Sequence, residues 1–190
     1  RAGANEVLTY SFVHERVLKN AEQDPSRAYR LSNALSPDLQ YYRTSVLPSL
    51  LDKVHANIKA GHDEFMLFEI GKIHDKELPL TDENLPSEQT SVDGVYASKK
   101  PRAGAPFYKA RKLVDRLLAD LNVEADFVKI AESDADVPAP FDGQRSAWIV
   151  IKNGEKLGIV GELSQTARRN FKLPDYTAAF SLDVEKLQAC

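Results

Sequence analysis

Apolar positions recur along the chain at two spacings, and each spacing predicts its own kind of element. Val46, Leu47, Leu50, Leu51, Val54 and Ile58 fall three and four residues apart, the stripe of an amphipathic helix. Pro48 suits the first turn of that helix, where a missing N–H costs nothing. Gly61 suits its end, so a helix is predicted over residues 46–60. A second stripe of Tyr108, Leu113, Leu117, Leu118 and Leu121 predicts a helix over residues 107–121. Shorter helices are predicted over residues 14–21, from a cap at Ser164 to Phe171, and after a cap at Asp183. Phe65-Met66-Leu67-Phe68-Glu69-Ile70-Gly71 is apolar on both faces and predicts a central strand covered on both sides. β-branched and aromatic runs predict further strands over residues 6–13, 28–33, 91–98, 126–130 and 177–182. Residues 147–152 and 155–163 flank Asn153-Gly154, whose tolerance of positive φ marks a hairpin. A turn is expected at residues 36–38, and exposed loops over the charged, proline-containing stretches 75–89 and 131–143. Strands outnumber helices, one pair must be antiparallel, and the order is not a regular βαβ alternation. The fold class is therefore α+β, an antiparallel-rich sheet with helices packed on it.

Size and charge narrow the function classes. The chain has 190 residues and a mass of 21.2 kDa, enough for one domain with a core that needs no staples. Residues 1–190 are read as that single domain. Lys plus Arg is 25 and Asp plus Glu is 28, a net charge of −3, which excludes a generically basic nucleic-acid binder but not a local basic patch. Cys190 is the one cysteine, so a disulfide within the chain and a cysteine-based zinc site are excluded. No apolar run approaches the ~20 residues that span a bilayer, and no leader-like segment opens the chain, so no membrane partner and a cytoplasmic location are expected. The chain begins at Arg1 without an initiator Met, and its last helix is cut off just after it starts. A piece of a longer protein is expected.

Few residues point to chemistry. His14, His55, His62 and His74 show no metal-ligand spacing, and no metal site is expected. Phosphate-loop, dinucleotide and nucleophile-elbow motifs are absent, and no catalytic residue is assigned. Gly154, Gly158 and Gly161 lie in the hairpin, where turn geometry and close packing account for them. Arg43 stands between a proline turn and a buried helix, and Glu69 is the one acid in an otherwise apolar strand. A charge inside a core must be paired, so Arg43 and Glu69 are expected to form a structural ion pair. Lys99, Lys100, Arg102, Lys109, Arg111, Lys112 and Arg116 crowd one stretch around Phe107 and Tyr108. Two readings stay open for it: the wet face of an amphipathic helix, or a patch facing RNA or a partner.

Three segments carry a family resemblance. Leu31-Ser32-Asn33-Ala34-Leu35-Ser36, then Tyr42-Arg43-Thr44-Ser45-Val46-Leu47-Pro48-Ser49-Leu50-Leu51, then Leu67-Phe68-Glu69-Ile70-Gly71 resemble the β subunit of bacterial phenylalanyl-tRNA synthetase. The resemblance extends in register over nearly the whole chain. It implies a class II aminoacyl-tRNA synthetase-like antiparallel sheet flanked by helices. It also implies a heterotetramer of two α and two β subunits that joins phenylalanine to its tRNA with ATP and magnesium, the chemistry belonging to the α subunit. The expected role is then a non-catalytic core module that supports the α subunit and the second αβ heterodimer, with no cofactor of its own. Contact is expected through residues 7–18 and the outer face of 46–58. The alternative is tRNA contact through residues 99–116. Catalytic domains of this class place arginines on the ATP phosphates. The matching stretch here, Gly71-Lys72-Ile73-His74-Asp75-Lys76-Glu77, holds no arginine, and Arg168 and Arg169 do not follow the family's second arginine motif. Editing, upstream metal binding and anticodon recognition belong to other domains of that subunit.

Overall fold

A computed structural model describes residues 3–100 and 103–190. Among them, β1 (Asn5–Glu6), β4 (Glu64–Ile73), β5 (Gln89–Ser98), β6 (Ala125–Lys129), β7 (Phe141–Ile151), β8 (Lys156–Leu163) and β9 (Tyr176–Asp183) build one sheet. Their order is β1-β4-β5-β9-β8-β7-β6. Only the contact of β1 with β4 is parallel. A small antiparallel pair, β2 (Phe12–Val13) and β3 (Tyr41–Tyr42), stands apart from it.

Strand alternation gives the sheet two apolar faces, and helices cover both. On the first face, Val95 and Ala97 of β5, Ala179 of β9, Ile159 of β8 and Trp148 of β7 pack with α1 (Glu15–Asn20) and α2 (Leu47–Lys59). The stripe predicted for α2 is the face it buries. Leu50, Leu51 and Val54 are fully excluded from solvent, each worth about 1.5–3 kcal/mol. On the second face, Val92, Tyr96, Phe180, Val160 and Ile149 pack with Ala110, Val114 and Leu118 of α3 (Phe107–Asp120). Ser164 caps α4 (Gln165–Asn170) by accepting from the Ala167 N–H, and Asp183 caps α5 (Val184–Gln188) by accepting from the Lys186 N–H. Gly154 takes φ +86° in the β7–β8 turn, which Gly154 N–H and the Ile151 carbonyl close at 2.8 Å.

Several expectations need correction. The strand predicted over residues 6–13 is broken: β1 and β2 are its two ends, and Thr9 between them bonds a side chain instead of a ladder. Residues 28–33 contribute one bridge, Arg30 to Tyr41, after a 3-10 turn at Pro25–Arg27. β4 is not central. It lies one strand from the border, and β1 covers only Leu67 and Phe68 of it, leaving Glu64 and Ile70 exposed. Its double-sided apolarity comes from helices above and below, not from strands at both sides.

Candidate functional site

One transverse row on the first face holds the polar centre of the molecule. Glu69 pairs with Asp93, Asp93 with Ser181, Ser181 with Ile159 and Ile159 with Trp148, strand by strand. Side chains in register across a sheet share one face, so two carboxylates stand side by side at one end of the row.

The structure brings Arg43 and Glu69 together. Arg43 Nη1 donates to Glu69 Oε1 at 2.7 Å, with the side chains only 3% and 1% exposed. The same Nη1 donates to Thr9 Oγ1 at 2.9 Å, and Nε donates to the Lys72 carbonyl at 3.0 Å. Glu69 Oε2 accepts from Thr9 N–H at 3.2 Å and from Thr9 Oγ1 at 2.7 Å. The pair therefore ties the segment after β1 to the sheet. Gly71 is what lets the guanidinium lie on the strand: a Cβ there would stand 2.1 Å from Arg43 Nη2.

Asp93 is the neighbour that sequence reasoning passed over, although a lone acid in an apolar strand is the same signal that marked Glu69. It is fully buried. Its Oδ2 accepts from Leu47 N–H at 2.6 Å, its Oδ1 accepts from Ser181 Oγ at 2.7 Å, and Ser91 Oγ donates to it as well. Val46 at the start of α2 has no side chain able to cap it. Asp93 supplies the cap from the sheet, placing its carboxylate at the positive end of the helix. Burial pushes the Asp93 carboxyl up from the ordinary carboxylate range, against hydrogen bonds from Ser91, Ser181 and Leu47 that pull it down. The folded state thus holds the Asp93 proton more tightly than the unfolded state. Its stabilising contribution is complete below the ordinary carboxylate pKa and is lost as pH rises through the raised value. Asp93→Asn, which cannot ionise, is expected to gain in urea stability relative to the parent chain as pH increases from about 4 to 8. A pH-independent difference between the two would contradict this account.

Beside the row, a cleft of about 740 Å³ opens over the first face, lined among others by Arg27, Asp75, Ser91, Ser181, Asp183, Lys156 and Trp148. Its cations are committed. Arg27 Nη2 lies 2.5 Å from Asp75 and 2.8 Å from Glu77. Lys156 lies 3.1 Å from Asp134 and over the Trp148 ring at 3.9 Å, and Lys186 lies 3.0 Å from Glu155. The Trp148 indole N–H also donates to Asp134 at 2.8 Å, and with Lys156 it holds the Asp134 carboxyl below its ordinary range. Glu22, Asp24, Glu77, Asp136 and Asp183 add further negative charge to the lining. Each cation of the lining thus has a carboxylate partner, and acids outnumber cations in it. Arg168, one of the two arginines weighed from sequence, turns away to Asp175 at 2.9 Å, and neither it nor Arg169 lines the cleft. Among the described residues no cluster of three metal-ligating side chains occurs.

The basic stretch does not stay together. Lys109, Lys112 and Arg116 lie on the solvent side of α3, Arg116 pairing with Asp120 at 2.9 Å. Arg111 turns toward β6 and sits 4.3 Å above the Phe127 ring. Lys99 and Lys100 follow the end of β5, and Arg102 lies outside the described residues.

Solved structures place this architecture in a class. Pyrrolysyl-tRNA synthetase from Desulfitobacterium hafniense superimposes with a TM-score of 0.68 over 98% of this chain and 62% of that chain, at 16% identity. The chain therefore has the fold of a class II aminoacyl-tRNA synthetase domain. Sequence comparison narrows the class, because the family described as the phenylalanyl tRNA synthetase beta chain CLM domain matches residues 1–184. The chain belongs to that family. Curated relatives named phenylalanine–tRNA ligase beta subunit include that of Symbiobacterium thermophilum, 31% identical over 91% of this chain and 20% of the relative. That of Thermotoga maritima is 29% identical over 98% of this chain and 23% of the relative. The chain spans about a fifth to a quarter of these relatives' length. No helix among the described residues is long and apolar enough to cross a membrane.

Proposed function

We propose that this chain is a structural, non-catalytic core module of a phenylalanyl-tRNA synthetase β subunit, working in the cytoplasm beside the α subunit that attaches phenylalanine to its tRNA with ATP and magnesium. The observation that carries the reading is the cleft over the sheet. It is large enough for a nucleotide, yet the one guanidinium in its lining, Arg27, is paired with Asp75 and Glu77. With six acids against three cations, the lining carries the wrong sign of charge for a phosphate.

Support for the α subunit needs an apolar surface that the module alone leaves open. The first of the two expected segments offers one. Val7 packs on the first core and Thr9 reaches Glu69, which turns Leu8 and Tyr10 outward to 91% and 74% exposure. The outer face of α2 offers less, since Lys53, Ala56 and Lys59 are what it exposes. The contact is therefore assigned to Leu8, Tyr10 and their neighbours. Co-expression of the chain with a tagged α subunit tests this. Stoichiometric co-purification is expected, lost in Leu8→Asp/Tyr10→Asp, while the isolated chain gives no calorimetric signal with ATP. Co-purification that ignores both substitutions, or ATP binding in the micromolar range, would overturn it.

A further inference from the structure

We propose that the groove between the start of α3 and strands β6 and β7 binds single-stranded RNA. The groove has a volume of about 530 Å³ on the far side of the sheet from the acidic cleft, within the range of small-ligand sites. Tyr108, Arg111, Phe127, Lys129 and Arg145 line it. These are the two components of sequence-tolerant single-strand recognition, flat aromatic faces for bases and cations for the backbone.

Each side chain is presented for such use. Tyr108 is 65% exposed on an otherwise charged helix face, where neither the core nor a hydrogen bond accounts for it. Phe107 braces it edge-on with ring centroids 5.4 Å apart. Arg111 lies over the Phe127 ring at 4.3 Å, which fixes the guanidinium plane on its inner side and leaves its outer side as a second stacking surface. Its ion pair with Asp115 is long, at 3.6 Å, and exposed. Arg145 is anchored by buried Glu162 at 2.8 Å while remaining exposed itself. Lys129 has no carboxylate partner among the described residues. α3 begins at the groove with no acid in its first turn, so the positive end of its dipole is not offset there. A chain of net charge −3 thus gathers in one concavity the unpaired Lys129, two arginines that stay solvent-exposed within their ion pairs, and the exposed Tyr108 ring. An acidic peptide would use the cations but leave the two flat surfaces idle, which favours RNA.

The test uses fluorescence anisotropy of the chain with a labelled oligouridylate of about twelve nucleotides, at several salt concentrations. Saturable binding is expected, with log affinity against log salt falling at a slope of about −2, the value for three backbone cations on a single strand. Tyr108→Ala is expected to weaken binding about 5–150-fold at unchanged slope, as loss of one stacked base does. Arg111→Gln with Lys129→Glu is expected to weaken binding and to bring the slope to about −0.7. Lys59→Glu, a charge reversal on α2, should change neither. Circular dichroism and melting temperature establish that the variants fold. The proposal is overturned by absence of saturable binding at low salt, by equal binding of duplex RNA, by variants in the groove that bind like the parent chain, or by polyglutamate displacing the RNA as well as unlabelled RNA does.

Discussion

Glu69→Ala is expected to lower folding stability by about 3–5 kcal/mol, the cost of leaving one member of a buried ion pair without its partner. The Arg43 guanidinium would keep Thr9 Oγ1 and the Lys72 carbonyl but lose its directly bonded carboxylate, in a buried place. Thr9 would lose both of its bonds to Glu69 Oε2, so the segment leading from β1 should loosen with it. Urea unfolding and hydrogen exchange at Thr9 and Val7 measure the two effects. The double replacement Arg43→Met/Glu69→Leu is expected to recover much of the loss, because apolar pairs of similar volume often match buried ion pairs in stability. A loss below about 1 kcal/mol in Glu69→Ala would show that the pair is solvated in a way the geometry excludes.

Gly158→Ala is expected to cost about 3 kcal/mol or more, at the upper end for an overpacked interior. A Cβ at this position would stand 2.1 Å from the Ser181 carbonyl oxygen and 3.0 Å from Leu182 Cα. Both are backbone atoms of β9, paired on their other side to β5, so they cannot step aside as a side chain could. Moving Ser181 would also shift the hydroxyl that donates to Asp93, carrying the damage to the start of α2. Gly154→Ala makes the comparison: its neighbourhood is open and only its positive φ is strained, for roughly 1–2 kcal/mol. If the two substitutions proved equally costly, close strand approach would not be the reason for Gly158.

What could be read from the residues alone follows the range of the forces involved. α2, α3, the Asn153-Gly154 turn and the caps at Ser164 and Asp183 depend on neighbours a few positions away, and each appears where its pattern predicts. The segment from Glu6 to Val13 has strand-forming residues throughout, but strand formation needs a partner, and Glu69 takes Thr9 out of the ladder. The border position of β4 was hidden for a related reason: alternation reports what lies above and below a strand, not what lies beside it. Arg43 and Glu69 were visible because an isolated charge in an apolar run demands an explanation. Asp93 carried the same signal, muted by the small polar Ser91 and Gly94 around it. Arg27 carried none, since its partner Asp75 comes from a different loop 48 positions later.

The bond from Arg43 Nε to the Lys72 carbonyl has a consequence for the margin of the sheet. Phe68 turns its carbonyl outward to Val7 N–H, and Lys72, four residues on, turns its carbonyl the same way. Beyond the two residues that β1 pairs, this margin is occupied by Arg43, whose carbonyl accepts from His74 N–H at 3.1 Å. The guanidinium occupies one of its acceptors with a group that cannot continue a ladder. The interior salt link therefore also withdraws one backbone acceptor from any strand that would pair at this margin.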